Sequence, residues 1–579
     1  MENIKNTIES RIPNISQGEL FFLEVWIELT NDETHASYRP KVMNLKLILD
    51  ELITYLDESI QGQTNFKHYV DQIAKETKGF LEKEKKIFNQ NKLILSQFMA
   101  SLENVLEFSK RKEKEIENAY ADLVIFKKLQ LFLKNNYKDL IIYSLKESIK
   151  NDEKKQILIF TSAIISYFIS EGITLKKLYF CQNQLFIWEN NKTFEERLDE
   201  ALRSLNYEKK FTVFLKMTSS HQFSYDYPKV NDVYFYNSID KNIFSNVPSI
   251  FSEISDFIRY AKVIVKTSDP HRASLIARAS VEKALDFIMF TSVPQNVEFA
   301  YQSYVVESSL DSTLNHLYKH DYDSSFTPLT LSELLSKNNK LEKRSKKRLE
   351  SSLKFFRMGL STSTEHIAFT NTWTAIEYLL TGNKANIDIK KKMSDEAIKI
   401  LSIDYISSLL VDLKKNLDKF EVPCDVDDDW VNVSNKDFLD LIRETNKLQT
   451  LTNNVNDSYL LKYRLEELSD KFKTNEKVLD YITEHNLRVE WQLSRIYRIR
   501  NIIAHEAHKS DVTLLLPHLR MYCFTILETY FRLIKLNEND LEDIDDLLIR
   551  IKNWYNYIES TIKDKNDSNP LYDEYLKYI

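Results

Sequence analysis

Arg498, Arg500, Asn501, His505 and His508 lie close together near the end of the chain, the first four in Tyr497-Arg498-Ile499-Arg500-Asn501-Ile502-Ile503-Ala504-His505. Histidine exchanges protons near neutral pH. Arginine offers a permanently charged planar fork for oxyanions, and asparagine both donates and accepts hydrogen bonds. On an ideal helix Asn501 and His505 stand roughly 40° apart and Arg500 and His505 roughly 140° apart. The asparagine and histidine therefore share a face, which the guanidinium reaches from the flank. Arg498, Asn501, His505 and His508 trace a polar stripe, opposed by Leu493, Ile496, Ile499 and Ile503. A solvated helix face has the same pattern, so spacing alone leaves both readings open.

The elements that must position these residues are read as helices. The 579 residues include only 6 glycines and 10 prolines, a composition that disfavours Gly-rich phosphate loops, propellers and multi-hairpin β folds. A hydrophobic content of 43% supports packed cores. The net charge of −7 means that any nucleic-acid contact must come from local patches. Cys181, Cys424 and Cys523 are far apart and lack metal-ligand spacing, which fits idle thiols in a reducing compartment. The apolar run at 157–169 is too short to span a bilayer, and no signal peptide is read at the start. A cytoplasmic protein without membrane contact is expected. The acidic loop Asp425–Asp429 lacks the spaced oxygen ligands and glycine of a calcium loop, so neither metal nor cofactor is expected. Nucleotide-binding, nucleophile-elbow and zincin motifs do not occur.

The expected class is mostly α, with a C-terminal helical bundle, an N-terminal helical region and a small strand-containing α/β module. Residues 1–150 read as an initial strand at 19–29 followed by helices. Residues 151–249 read as the small module, with strands at 178–181, 185–188, 211–217 and 232–236. Residues 250–339 read as helical, with 254–265 and 271–290 as an antiparallel pair. Helices are expected through 340–563, with breaks at 361–364 and 486–487, before a polar tail at 564–579. Residues 261–285 and 356–380 match at Thr267/Thr362, Ser268/Ser363, His271/His366, Ala273/Ala368, Glu282/Glu377 and Leu285/Leu380. Two ordinary Ser/Thr-capped helices would produce the same matches.

Two stretches together carry a resemblance. Phe356-Arg357-Met358-Gly359-Leu360-Ser361 with Trp373-Thr374-Ala375-Ile376-Glu377-Tyr378-Leu379-Leu380, followed by Ile496–Glu506, is similar in order and spacing to HEPN domains of the Apea-like, abortive-infection type. The resemblance covers about 340–540 and, weakly, 250–340, where it implies a degenerate hairpin of the same kind. It implies an all-α bundle that forms homodimers or higher oligomers and cleaves RNA, tRNA being one candidate, without metal. The same resemblance implies an antiviral toxin, with residues before 250 sensing a phage-derived trigger or an antitoxin partner. It assigns Arg500 and His505 as the catalytic pair with Asn501 between them, and its looser spacing also admits Arg498, ranked second. Glu377 either supports the site from the neighbouring helix or simply caps or pairs there. The basic runs Lys343, Arg344, Lys346, Lys347 and Arg348, and Lys390, Lys391 and Lys392, would guide RNA backbone or simply face solvent. The rival reading is a non-catalytic bundle that binds RNA, nucleotide or protein.

Overall fold

The computed structural model describes residues 12, 15–31, 43–62, 67–110, 119–186, 192–219, 222–223, 229–239, 248–291, 297–308, 313–319, 331–362, 364–381, 393–403, 405–424, 427, 429–506, 512, 514–534 and 541–563. The chain divides into two compact units, one of residues 1–29, 34–167 and 326–579 and the other of 30–33 and 168–325. Most of the described chain is helical. Among the described residues no helix is long and apolar enough to cross a membrane.

The chain begins with helices α1 (Gln17–Thr30), α2 (Leu45–Ile60), α3 (Lys67–Glu84), α4 (Lys92–Val105), α5 (Ala119–Lys150) and α6 (Lys154–Ser170). The strand expected at 19–29 is therefore a helix. Its first turn carries reciprocal hydrogen bonds, Glu19 N–H to Ser16 Oγ and Ser16 N–H to Glu19 Oε2. Leu20, Phe21, Phe22, Leu23, Val25 and Trp26 are all buried, and so are Glu24 and Glu28, so the polar residues mark no solvent face. Helix α2 starts on Asn44, whose side chain accepts from Leu47 N–H, and packs against α3 and α5.

The second unit contains α7 (Leu175–Phe186), α8 (Phe194–Ser204), β1 (Lys209–Ser219), β2 (Lys229–Val230), β3 (Val233–Tyr236), β4 (Ile258–Thr267), α9 (Pro270–Thr291), β5 (Val297–Ser308) and β6 (Thr313–Lys319). These strands form one antiparallel sheet in the order β2-β3-β4-β1-β5-β6. Val213 of β1 faces Val263 of β4 on one side and Val305 of β5 on the other. Helix α9 covers one face with Ala273, Ala277, Val281 and Ala284, whose small side chains allow close approach.

This unit corrects several expectations. Residues 178–181 are helical within α7, as is the start of 185–188, whose last two residues lie outside the described ones. Residues 254–265 are not a helix: from Ile258 onward they form β4, with Val263 and Val265 inward and Ile264 and Lys266 outward. The sheet crosses the boundary expected at 249/250, and 250–339 is no helical hairpin. Four of the six matches between 261–285 and 356–380 fall within helices, whereas Thr267 ends β4, so a strand precedes one copy and a helix the other.

The first unit resumes with α10 (Leu331–Asn338), α11 (Lys343–Ser361), α12 (Glu365–Thr381), a π turn at Met393–Ala397 and α13 (Ile398–Ile403). It continues with α14 (Tyr405–Lys419), α15 (Asn435–Arg443), α16 (Thr445–Asn454), α17 (Tyr459–Lys471), α18 (Asn475–Glu506), α19 (Leu516–Leu533) and α20 (Ile544–Lys563). Two cores lie here. One packs α11, α12, α19 and the later half of α18 around Trp373, Ile376, Leu493, Ile496 and Leu519. The other packs α14 to α17 around Leu410, Leu417, Phe438, Leu465 and Phe472, and takes in Val478 and Ile482 from the start of α18. Helix α18 thus runs unbroken where two helices are expected, since nothing in His485-Asn486-Leu487 interrupts the backbone ladder.

Helices α11 and α12 cross at Gly359. A Cβ there would stand 2.3 Å from Thr372 Oγ1 and 3.1 Å from the Ala368 carbonyl oxygen, so the crossing requires glycine. Ser352 Oγ donates to the Ala375 carbonyl at 2.7 Å, which fixes the pair two turns from Gly359 along α11.

Candidate functional site

The site is built on two helices, α12 and the last turns of α18. Buried Trp373 meets Tyr497 with ring centroids 5.8 Å apart. One turn further along both helices Arg500 meets Glu377: Nη2 donates to Glu377 Oε2 at 3.3 Å, and Nη1 donates to Asn501 Oδ1 at 3.1 Å. Arg500, Asn501 and Glu377 are thus brought together, three of the five residues expected at the site. His505 lies in the last turn of α18, but its side chain is outside the described ones, as is all of His508.

The Arg500–Glu377 contact is longer than the 2.7–2.9 Å or so usual for a charge-assisted bond. Glu377 Oε1 and Arg500 Nε are buried without a hydrogen-bond partner, so neither group is fully used by the other. The Arg500 side chain keeps 25% of its surface exposed. A guanidinium so held can change partners when another oxyanion arrives. The C-terminal end of a helix carries partial negative charge, so an anion at this end of α18 needs such a cation beside it.

Arg498 is placed differently. Only 3% of its side chain is exposed, and it donates to Glu51 of α2. Arg495, one turn earlier, donates from Nε to Glu51 Oε2 at 2.9 Å and from Nη2 to Glu76 Oε2 of α3 at 2.7 Å. Burial pushes the Glu51 carboxyl up, but Arg495 and Arg498 outweigh it and hold the group below its ordinary value. At Glu76 burial prevails over Arg495 and the carboxyl is raised. Burial opposes the charge on Arg495, yet the two carboxylates hold its guanidinium above the ordinary range. Arg498 is therefore committed to a buried ion cluster and does not line the site. Any support it gives the catalytic pair therefore passes through helix α18 and not through contact with the site. Glu51 and Glu76 had no sequence signal, lying more than 400 residues from their partners.

The basic run at the start of α11 divides. Lys343, Arg344 and Lys347 are exposed, and Lys346 is half-buried with its ammonium donating to Asn339 Oδ1 at 3.2 Å. Arg348 is buried, donating from Nε to the Tyr378 carbonyl and from Nη1 to Asp545 Oδ1 at 2.7 Å. It ties α11 to α12 and α20 and is corrected to a packing residue. Lys390, Lys391 and Lys392 lie outside the described residues, as do Asp425, Val426 and Asp428 of the acidic loop. Among the described residues no group of three or more His, Cys, Asp or Glu side chains could hold a metal ion. Cys181 and Cys523 are buried thiols outside any disulfide, and burial raises the pKa of each, Cys181 to about 12. No protein family, curated protein or solved structure matches the chain.

Proposed function

We propose that the C-terminal bundle is a metal-independent endoribonuclease of the HEPN type, with Arg500, Asn501 and His505 as its working residues. The observation that carries the reading is the contrast along α18. Arg495 and Arg498 are buried in an ion cluster, whereas Arg500 stays partly exposed and loosely held beside Asn501. In the proposed reaction the ribose 2′-oxygen loses its proton to a base and attacks the adjacent phosphorus. The bond to the 5′-oxygen breaks, and that oxygen takes a proton. The products are a 2′,3′-cyclic phosphate and a 5′-hydroxyl, so no oxidant or cofactor is required. Arg500 would hold the phosphate oxygens as negative charge accumulates, and His505 would serve a proton transfer. One imidazole per chain does not readily act as both base and acid in one turnover, which favours a site shared by two copies. A role as a defence toxin, with residues before 250 answering a phage-derived trigger or an antitoxin, belongs to the same proposal.

One observation favours a second reading. An arginine paired with a glutamate on the neighbouring helix is also how a bundle without catalytic function would fasten α18 to α12. Purified wild-type protein and the His505→Ala variant, incubated with total RNA and with tRNA, separate the two. Cleavage by wild type alone, with both proteins folded, is expected. Equal cleavage by the variant, or none by either, would overturn the ribonuclease reading in favour of the fastening one.

A further inference from the structure

We propose that Glu51 and Glu76, together with Arg495 and Arg498, are positioning residues: the α2–α3 hairpin holds helix α18 in one rotation and one register, and through it holds Arg500. The functional half of this inference rests on the ribonuclease reading above.

Four contacts fall on one short face of α18. Gln72 of α3 donates to Ser494 Oγ at 3.0 Å, and Glu51 and Glu76 receive Arg495. Glu51 also receives Arg498. The Arg498 guanidinium carbon lies 5.2 Å from the ring centroid of Tyr55 on α2 and 5.1 Å from that of Tyr69 on α3. The two rings are 5.9 Å apart at 62°, so they form a corner in which the guanidinium sits. Rotation of α18 would break these ring contacts and the bonds together.

Arg498 and Arg500 point roughly 200° apart on an ideal helix, so the clamp and the candidate site occupy opposite faces of α18 within a single turn. On the far face Trp373 and Glu377 of α12 meet Tyr497 and Arg500. The helix is therefore held between the N-terminal hairpin and α12 at the level where the candidate site begins. A helix resists bending within one turn, so a shift on the clamped face reaches Arg500 nearly undiminished. Two arginines and two glutamates balance in charge, and such a buried cluster selects one arrangement more effectively than apolar packing, which tolerates sliding. The clamp also gives helices α2 and α3 a direct physical route to the site, since anything that loosens them frees α18.

The test is hydrogen–deuterium exchange of the full chain in the Glu51→Gln and Arg498→Lys variants, with RNA cleavage measured alongside. Glu51→Gln keeps the shape of the side chain, and Arg498→Lys keeps the charge but loses the planar fork. Both are expected to speed exchange about tenfold in peptides covering 494–506 while those covering 516–533 stay at wild-type rates. In cleavage, kcat is expected to fall about tenfold with KM within about twofold of wild type. If Glu51→Gln does not fold, Arg498→Lys carries the test alone. Wild-type exchange at 494–506 in a folded variant, or an equal rise at 516–533, would overturn the clamp. If wild type cleaves no RNA, the ribonuclease reading fails while the exchange data still decide the clamp.

Discussion

Arg498 and Arg500 stand two positions apart on one helix, and their surroundings set them different tasks. Removing Arg498 would leave Glu51 short of a partner in a buried cluster, whereas removing Arg500 breaks a long, partly exposed contact. Arg498→Ala is therefore expected to destabilise the fold by roughly 3 kcal/mol. Arg500→Ala is expected to cost less, about 1–2 kcal/mol, because its guanidinium is already partly solvated while Glu377, 13% exposed, loses its partner. Urea denaturation followed by circular dichroism checks both, and equal costs would contradict the division of labour drawn here. Arg500→Lys retains the charge but loses the fork. In the proposed chemistry it is expected to lower kcat/KM for RNA about 100-fold, against no change if Arg500 only fastens helices. None of this contrast was legible from spacing, because an i, i+2 pair on a helix differs in environment only through the helices packed on either side.

At the scale of elements, the crossing of α11 and α12 makes the sharpest demand on sequence. Gly359→Ala would press a methyl against Thr372 Oγ1 and the Ala368 carbonyl. It is expected to cost about 2 kcal/mol, read as a lowered denaturation midpoint. A midpoint at the wild-type value would mean that the two helices part without strain. Helices from 331 onward were legible because their apolar positions recur at three and four residues and residues such as Ser434 and Ser458 cap their starts. That Glu377 meets Arg500 did not follow from spacing, which left it either supporting the site or simply pairing there. Helix α1 was missed because most of its circumference is apolar and its two later glutamates, Glu24 and Glu28, are themselves buried, although Ser16 and Glu19 spelled its cap. Strand β4 was missed because Ile258, Tyr260, Ala261 and Val263 fit either period until the outward Lys262, Ile264 and Lys266 are read with them. The clamp on α18 was illegible for a different reason: Glu51 and Glu76 are ordinary helix glutamates until the fold brings Arg495 to them.

At the scale of the whole molecule, the N-terminal helices are part of the first unit, joined by buried polar contacts to helices more than 400 residues away. Glu24 of α1 is a second such joint. Its carboxylate accepts from the Leu460 and Tyr459 N–H groups and the Ser458 hydroxyl at the start of α17, beside the Glu28–Arg464 pair. Burial pushes its pKa up from 4.5 to about 7, against those hydrogen bonds and the Arg464 charge. With the folded value above the unfolded one, the stability Glu24 contributes is fully present below 4.5 and is lost as pH rises through about 7. Wild type is therefore expected to lose stability relative to Glu24→Gln across that window. A difference between the two that does not vary with pH would show that Glu24 titrates at its ordinary value in the fold.

The claim on which the functional account depends is that Arg500, Asn501 and His505 cleave RNA through attack by the 2′-hydroxyl. Analysis of the RNA ends left after incubation of the purified chain with tRNA in EDTA tests it most directly. The account predicts 2′,3′-cyclic phosphate and 5′-hydroxyl ends, made by wild type and not by His505→Ala. Ends bearing a 3′-hydroxyl and a 5′-phosphate, or cleavage that appears only when a divalent metal is restored, would contradict it.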